Sequence, residues 1–327
     1  MPHLPTTLLT AGLAALAAFA APAHAQSAAP FPTRTVRIVV PFPAGGTADV
    51  LPRILAEKLA SRWGQAVIVE NRPGAGGNIG AETVARAEPD GHTLLASPPG
   101  PLAINQSLYA RLAYDPTQLV PVSVLATVPN VLAVRPNLPA GSVRELLAQA
   151  RATPGRVTFA SQGSGSTSHL TASMFQSMGG VQMLHVPYKG TAPALTDLIG
   201  GQVDLFFDNL SSSIAQQRAG KLKILAVAGA RRSAQLPDVP TVAEAGLPGF
   251  ESVTWFGVVA PSGTPEPIVR QISSAIDEAL RLPDVQKRFV EQAADPVGGT
   301  PAEAGAFIRS EAARWKKVIA NSNVTLD

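Results

Sequence analysis

The 327-residue sequence predicts an α/β protein of two lobes, each a mainly parallel sheet flanked by helices. Three observations lead there. Buried-strand and helix patterns alternate in two successive series. Glycine-bearing turns follow strand ends at 41–46, 71–80 and 162–168. Two extended apolar segments, Val122–Val128 and Val253–Val259, flank the second series and read as strands crossing between the lobes, which makes each a hinge candidate.

The elements follow in order. Leu8 to Ala21 is apolar and ends in Pro22-Ala23-His24-Ala25, an A-x-A-like cleavage pattern, so residues 1–25 read as a secretory signal peptide. The usual basic n-region is missing, since residues 1–25 hold no Lys or Arg. The apolar run is too short for a stable membrane span, and the mature, soluble chain is expected to start near Gln26. Residues 27–33 form a Ser/Ala/Pro-rich leader. Val36–Val40 is β-branched and continuous, as a strand buried on both faces is. Pro41–Gly46 is a turn, and Thr47 or Asp49 caps a helix through Val50, Ile54, Leu55 and Leu59. A strand at Ala66–Glu70, a glycine-rich loop at Asn71–Gly80, a helix at Ala81–Ala87 and a strand at His92–Ser97 complete the first series.

The second series holds strands at Val131–Arg135, Val157–Ser161, Met183–Pro187, Val203–Asp208 and Leu222–Ala228. Its helices are Ser142–Arg151, Leu170–Met178 and Pro193–Gly200. Amphipathic helices at Pro267–Leu280 and Pro301–Ile319 close the chain.

Composition removes several function classes. Hydrophobic residues at 46% and charged residues at 15% fit a globular chain. Lys+Arg number 26 against 23 Asp+Glu, and the densest basic clusters are only the pairs Arg231-Arg232 and Lys316-Lys317, so a nucleic-acid partner is not expected. With no cysteine there is no disulfide and no thiolate chemistry. Two of the five histidines fall in the signal peptide, and His92, His169 and His185 have no zinc-ligand spacing. No metal and no cofactor are expected.

Four segments carry candidate chemistry. Pro41 to Asp49 joins a buried strand to a helix N-terminus, where glycines let amides approach a ligand and the free N–H groups favour an anion. Here Asp49 reads equally as a cap. Asn71 to Gly80 lies at a second strand–helix junction. Its Gly74-x-Gly76-x-x-Ile79 lacks the third glycine of a dinucleotide fingerprint, and no Gly-Lys-Ser/Thr occurs in the chain. A donor loop facing a small anion fits better. Ser161 to His169 offers hydroxyls and amides. Its sharper alternative is a serine nucleophile, Ser164 or Ser166, with His169, although Gly163-Ser164-Gly165 is not the nucleophile elbow. Finally, Lys189 is positioned to pair with an anion, Asp204 or Asp208, and Asp208 ends its strand as either a cleft acceptor or a cap.

These segments together resemble the solute receptors of tripartite tricarboxylate transporters, the Bug (TctC-like) family. The resemblance is carried by Pro41-Phe42-Pro43-Ala44-Gly45-Gly46-Thr47-x-Asp49 and Glu70-Asn71-Arg72-Pro73-Gly74-Ala75-Gly76-Gly77. Gly163-Ser164-Gly165-Ser166-x-x-His169-Leu170, Val186-Pro187-Tyr188-Lys189-Gly190, Leu236-Pro237-Asp238-Val239-Pro240-Thr241 and Trp255 to Pro261 add to it, over about residues 32–325. It implies a type II periplasmic-binding-protein fold, with lobe 1 at 32–124 and 254–327, lobe 2 at 125–253, two crossing strands and a ligand cleft between. It further implies that a carboxylate is held between the first two glycine loops, at Ala44, Gly45, Thr47 and Asp49 with Gly76 and Gly77, and that lobe 2 adds Ser164, Ser166, Thr167, His169 and Asp208. Ala44 stands where the family commonly has a second proline, which alters loop stiffness more than anion contacts.

The expected function is therefore periplasmic capture of a small organic carboxylate (a di- or tricarboxylate, an acidic amino acid or an aromatic acid) for membrane permease subunits, by a monomer that is not an enzyme. The alternatives are a periplasmic serine-type hydrolase, which needs an activated serine, a base and an acid, and a ligand sensor for a signalling system.

Overall fold

The β-branched run Val36–Val40 forms β1, with three of its last residues almost fully buried between helices on both faces. The computed structural model describes residues 31–322 and 324, so the expected signal peptide lies outside the described residues. After β1 come α1 (Thr47–Trp63), β2 (Val67–Asn71), α2 (Asn78–Ala85) and β3 (Thr93–Ser97). α1 buries Leu51, Ile54, Leu55 and Leu59 on one side and stops at Gly64, whose left-handed backbone (φ 61°) returns an N–H to the Ala60 carbonyl.

β4 (Val120–Val134) follows, then α3 (Val143–Ala152), β5 (Thr158–Ser161), α4 (Thr167–Gly179), β6 (Leu184–Pro187), α5 (Thr191–Ile199), β7 (Leu205–Asn209), α6 (Leu210–Arg218) and β8 (Lys223–Val227). The chain returns through β9 (Val253–Ala260), α7 (Glu266–Leu280), α8 (Pro283–Glu291), β10 (Asp295–Gly298) and α9 (Pro301–Ser322).

The strands run in the order β2-β1-β3-β9-β4-β7-β5-β6, with β10 and β8 also on β4. β1, β2 and β3 are mutually parallel, as are β5, β6 and β7, whereas β4 and β9 run antiparallel to their neighbours. The expected parallel sheets are thus present, joined through antiparallel crossing strands. β4 changes partners along its length. Val120 to Pro129 pairs with β9, and Asn130 to Val134 pairs with β7 and β8. Two sheets thereby share one strand, and this gives the two-lobe, type II-like architecture. The two segments expected separately, Val122–Val128 and Val131–Arg135, are parts of this one strand. In the fold, Pro129 occupies the point where one set of partners gives way to the other.

Each lobe buries its own core on both sheet faces. In lobe 1, α1, α7 and α8 cover one face and α2 and α9 the other. In lobe 2, α3 and α4 cover one face and α5 and α6 the other. α9 also reaches across: Trp315 and Ile319 pack with Leu170 of α4. No described helix is long and apolar enough to cross a membrane.

Candidate functional site

The β1–α1, β5–α4, β6–α5 and β7–α6 junctions meet at one cavity between the lobes, which is where ligands lie in open α/β sheets. The helix starts of the chain differ in how they are capped. α3 and α4 are capped by side chains, Ser142 to the Glu145 N–H and Ser166 to the His169 N–H. By contrast, α1 starts at Gly46, α5 at Gly190 and α6 at Asn209, and none of these receives a side-chain cap. These three N-termini, one from lobe 1 and two from lobe 2, converge on a single cavity of about 30 Å³. Its walls are Phe42, Pro43, Ala44, Gly46, Thr47, Ala48, Pro98, Gln162, Gly190, Thr191, Ala192, Asn209 and Phe256. Uncapped N–H groups and the positive ends of three helix dipoles make this an anion-favouring space.

The two lobes are in contact around it. The Thr47 hydroxyl meets those of Ser211 and Ser212, the latter at 3.2 Å. Gly190 has φ +101°, and a Cβ there would lie 3.2 Å from Pro43 Cγ, so a side chain would oppose this approach. On the other flank the 74–77 loop has four consecutive positive φ values, including the non-glycine Ala75 at 47°. A Cβ on Gly76 would come within 2.6 Å of the Tyr109 hydroxyl and 3.6 Å of the Ser164 carbonyl oxygen. Gly77 is wedged against Pro101 and Phe42.

The remaining residues named from the sequence support this cavity from behind. Gly45 is exposed, and its N–H donates to the Asp49 carboxylate at 3.0 Å. Asp49 is 3% exposed and also accepts from Arg53 and from the Asn71 amide, both at 2.9 Å. Ser166 donates to the Gly163 carbonyl (2.6 Å), and the Thr167 hydroxyl accepts from Thr254 of β9 (3.2 Å). Asp208 is wholly buried and accepts from Ser213 (2.8 Å) and from Gln162 Nε2 (3.2 Å). Burial pushes its pKa up to about 7, against the lowering effect of these bonds. Gln162 Nε2 also donates to the Thr191 hydroxyl at 3.0 Å, so Asp208 reaches the cavity through Gln162. Lys189 is exposed, and Arg135 rather than Lys189 pairs with Asp204, at 2.8 Å.

His169 faces elsewhere. Its ring stacks on His185 with centroids 3.9 Å apart, beside a wide opening of about 740 Å³ at Phe159 and Gln176. Burial and the neighbouring His185 push its pKa down to about 3, and burial pushes that of His185 down to about 4. His169 Nδ1 accepts from the Gly165 N–H (3.1 Å), not from a serine hydroxyl. The serine–histidine hydrogen bond in this region is Ser161 to His185 Nε2, at 2.6 Å, with Ser161 fully buried. A groove of about 730 Å³ also runs between the 229–237 loop and Val290 to Asp295. Neither opening gathers helix N-termini from both lobes. Among the described residues, no cluster of three or more His, Cys, Asp or Glu is arranged to hold a metal ion.

Gln162, Thr191 and Asn209 were not singled out by sequence. Their signal was positional: each lies at a strand-to-helix junction, the same position that drew attention to Pro41–Gly46.

Comparison with known proteins bears on the family and the fold. Residues 51–324 match the family described as "Tripartite tricarboxylate transporter family receptor". The chain is 41% identical over 314 residues to Protein BugT of Bordetella pertussis, covering 95% of each. The solved structure of R. palustris Rpa4515 with adipate superposes with a TM-score of 0.88 at 41% identity, covering 90% of this chain and 99% of that one. MatC (Rpa3494) from Rhodopseudomonas palustris with bound malate superposes at 0.84 with 36% identity, covering 88% and 100%.

Proposed function

The chain belongs to the tripartite tricarboxylate transporter receptor family, and from that premise we propose that it is an exported receptor that encloses a small carboxylate between its lobes. One observation carries the reading: the uncapped N-termini of α1, α5 and α6 meet at one interlobe cavity. An ionised carboxylate removed from water needs such donors, since burying it unpaired is strongly unfavourable, and each charge-assisted bond contributes about 1.5–3 kcal/mol. The bound adipate and malate of the two neighbours are acids of this kind.

In this reading the lobes are 32–124 with 254–327, and 125–253. Ala44, Thr47 and the first N–H groups of α1 contact the carboxylate from lobe 1. Gly45 and Asp49 act by fixing the loop, and Gly76 and Gly77 close the flank opposite Ser164. Ser166, Thr167 and His169 set the start of α4, while Asp208 orients Gln162. The receptor catalyses no reaction. The serine-hydrolase alternative is disfavoured because His169 Nδ1 accepts from a backbone amide rather than from a serine hydroxyl, and a pKa pushed down to about 3 makes the ring a weak base. The protein works in the periplasm as a monomer and hands its ligand to permease subunits.

The test starts from the full chain expressed in a Gram-negative host and isolated from the periplasmic fraction, where the N-terminus is expected at Gln26. A panel of organic acids is then screened by thermal shift. A cognate acid at 100 times its Kd should stabilise the fold by about 2.7 kcal/mol, and its neutral amide should not. Absence of stabilisation by any acid would sink the reading.

A further inference from the structure

α9 carries an arginine whose charge is left unanswered. Arg53, Arg86, Arg270 and Arg281 each bridge to an acid four residues back. Arg309 has Gly305 at that place, Ala306 three back, and Ala312 and Ala313 three and four ahead. It is exposed and forms no ion pair with a described residue. Gly305 is itself unfavourable inside a helix relative to alanine. A Cβ there would lie 3.2 Å from Arg309 Nη1 and 3.4 Å from Pro121 Cγ, so the missing methyl leaves room for the guanidinium to lie back along the helix beside β4.

Gly305 and Arg309 line a cavity of about 190 Å³ in lobe 1. Leu102, Leu119, Val259 and Ile308 make its wall apolar, and Gln106 and Thr117 add the other polar groups. An apolar cavity of about 150 Å³ is enough to hold a benzene ring. The space therefore suits one aromatic ring with a single substituent at the guanidinium. A carboxylate is the substituent that arginine pairs with through two parallel bonds. A dicarboxylate fits poorly, because its second charge would lie unpaired against the apolar wall.

The wall of this cavity also supports the cleft. Leu102 lies in the π-helical turn Gly100–Ile104, a rare geometry that often accompanies function. In the same turn Pro101 abuts Gly77, where a Cβ would come 2.7 Å from Pro101 Cγ, and the next residue after the turn, Asn105, donates from Nδ2 to the Gly76 carbonyl at 3.2 Å. An occupant thus bears on the turn that holds the 74–77 loop.

We propose that this cavity is a second binding site, separate from the interlobe cavity, for an aromatic monocarboxylate of benzoate size, its ring against Leu102, Val259 and Ile308 and its carboxylate on Arg309.

The probe is benzoate, titrated calorimetrically into the full-chain product from the periplasm, with benzyl alcohol as its uncharged counterpart. The wild-type protein should bind benzoate at least about tenfold more tightly than benzyl alcohol. Arg309→Gln should bring that ratio close to one, and Ala312→Leu, which fills the cavity, should weaken benzoate at least about tenfold. Arg309 is exposed, so its variant keeps the test open if Ala312→Leu does not fold. Hydrogen exchange with and without benzoate locates the site: protection is expected at 100–106 and 305–312, and not at 43–48 or 190–192. Protection at 43–48 and 190–192, with both variants binding as the wild type does, would put benzoate between the lobes and overturn the inference while leaving the receptor reading standing. No binding of benzoate at millimolar concentration, or benzyl alcohol binding as tightly, would overturn it too, whatever other acids bind in the cleft.

Discussion

Asp49 illustrates how one residue can serve a site without facing it. It is the third residue of α1, and its carboxylate gathers the Gly45 N–H, the Arg53 guanidinium and the Asn71 amide, while Asn71 also donates to the Phe42 carbonyl at 2.9 Å. The first two glycine loops are thereby tied together through a buried charge. Burial works to raise its pKa, yet Arg53, the Gly45 N–H and Asn71 together hold it below the usual carboxylate value of 3.8. With the folded pKa depressed, this stabilisation is complete above pH 3.8 and is lost as pH falls through the folded value. Asp49→Ala leaves three donors without an acceptor. We expect a loss of about 1–3 kcal/mol in urea unfolding and roughly tenfold weaker ligand binding by calorimetry; unchanged values for both would refute the tie. Part of this was legible in the sequence, since Arg53 lies four residues along the same helix face. Asn71 was not, because only the pairing of β1 with β2 brings it close. Asn209 and Gln162 were illegible for the same reason: each is an ordinary polar residue until the lobes meet.

At the scale of elements, the crossing strands carry a polar cluster where apolar packing would have sufficed. Asn130 of β4 donates to Ser252 at 3.0 Å and accepts from Thr254 of β9 at 2.9 Å, and Thr171 of α4 bonds both Asn130 and Ser252. All four are essentially buried. They lie where β4 exchanges partners, and they link both crossing strands to the helix that carries the Ser166 cap. Asn130→Ala removes one buried bond from each of Ser252, Thr254 of β9 and Thr171 of α4, leaving each with at least one other partner. We expect a loss of about 1–3 kcal/mol together with faster hydrogen exchange in β4 and β9, and loss without any local change in exchange would argue against a hinge role. The long strands and amphipathic helices of the fold could be read from periodicity. α6 could not, because Ser211, Ser212 and Ser213 dilute its pattern, and neither could the short α8 and β10. β4 is expected as two segments but is continuous, because a second sheet takes over the pairing at Asn130, directly after Pro129.

For the molecule as a whole, three titratable groups of lobe 2, two of them buried, set opposing slopes of stability against pH. His169 and His185 have folded pKa values of about 3 and about 4 against 6.5 when unfolded. Between those values the unfolded chain binds protons that the native stack refuses, so stability falls as pH falls below 6.5, at about 1.4 kcal/mol per pH unit for each histidine. Asp208 works the other way. Its folded pKa of about 7 exceeds the unfolded 3.8, so the native state binds the extra proton, and stability rises as pH falls from 7 toward 4. Between about pH 4.5 and 6 two groups pull down and one pulls up. The net expectation is a loss of about 1.4 kcal/mol for each pH unit lowered. Asp208→Asn removes the opposing group and should steepen the slope to about 2.8 kcal/mol per unit, whereas His185→Asn should flatten it toward zero. Urea midpoints across that pH range measure all three slopes. A wild-type profile that is flat, with Asp208→Asn also flat, would mean that these side chains keep ordinary pKa values in the native state, and that the lobe 2 interior is more hydrated than its packing implies.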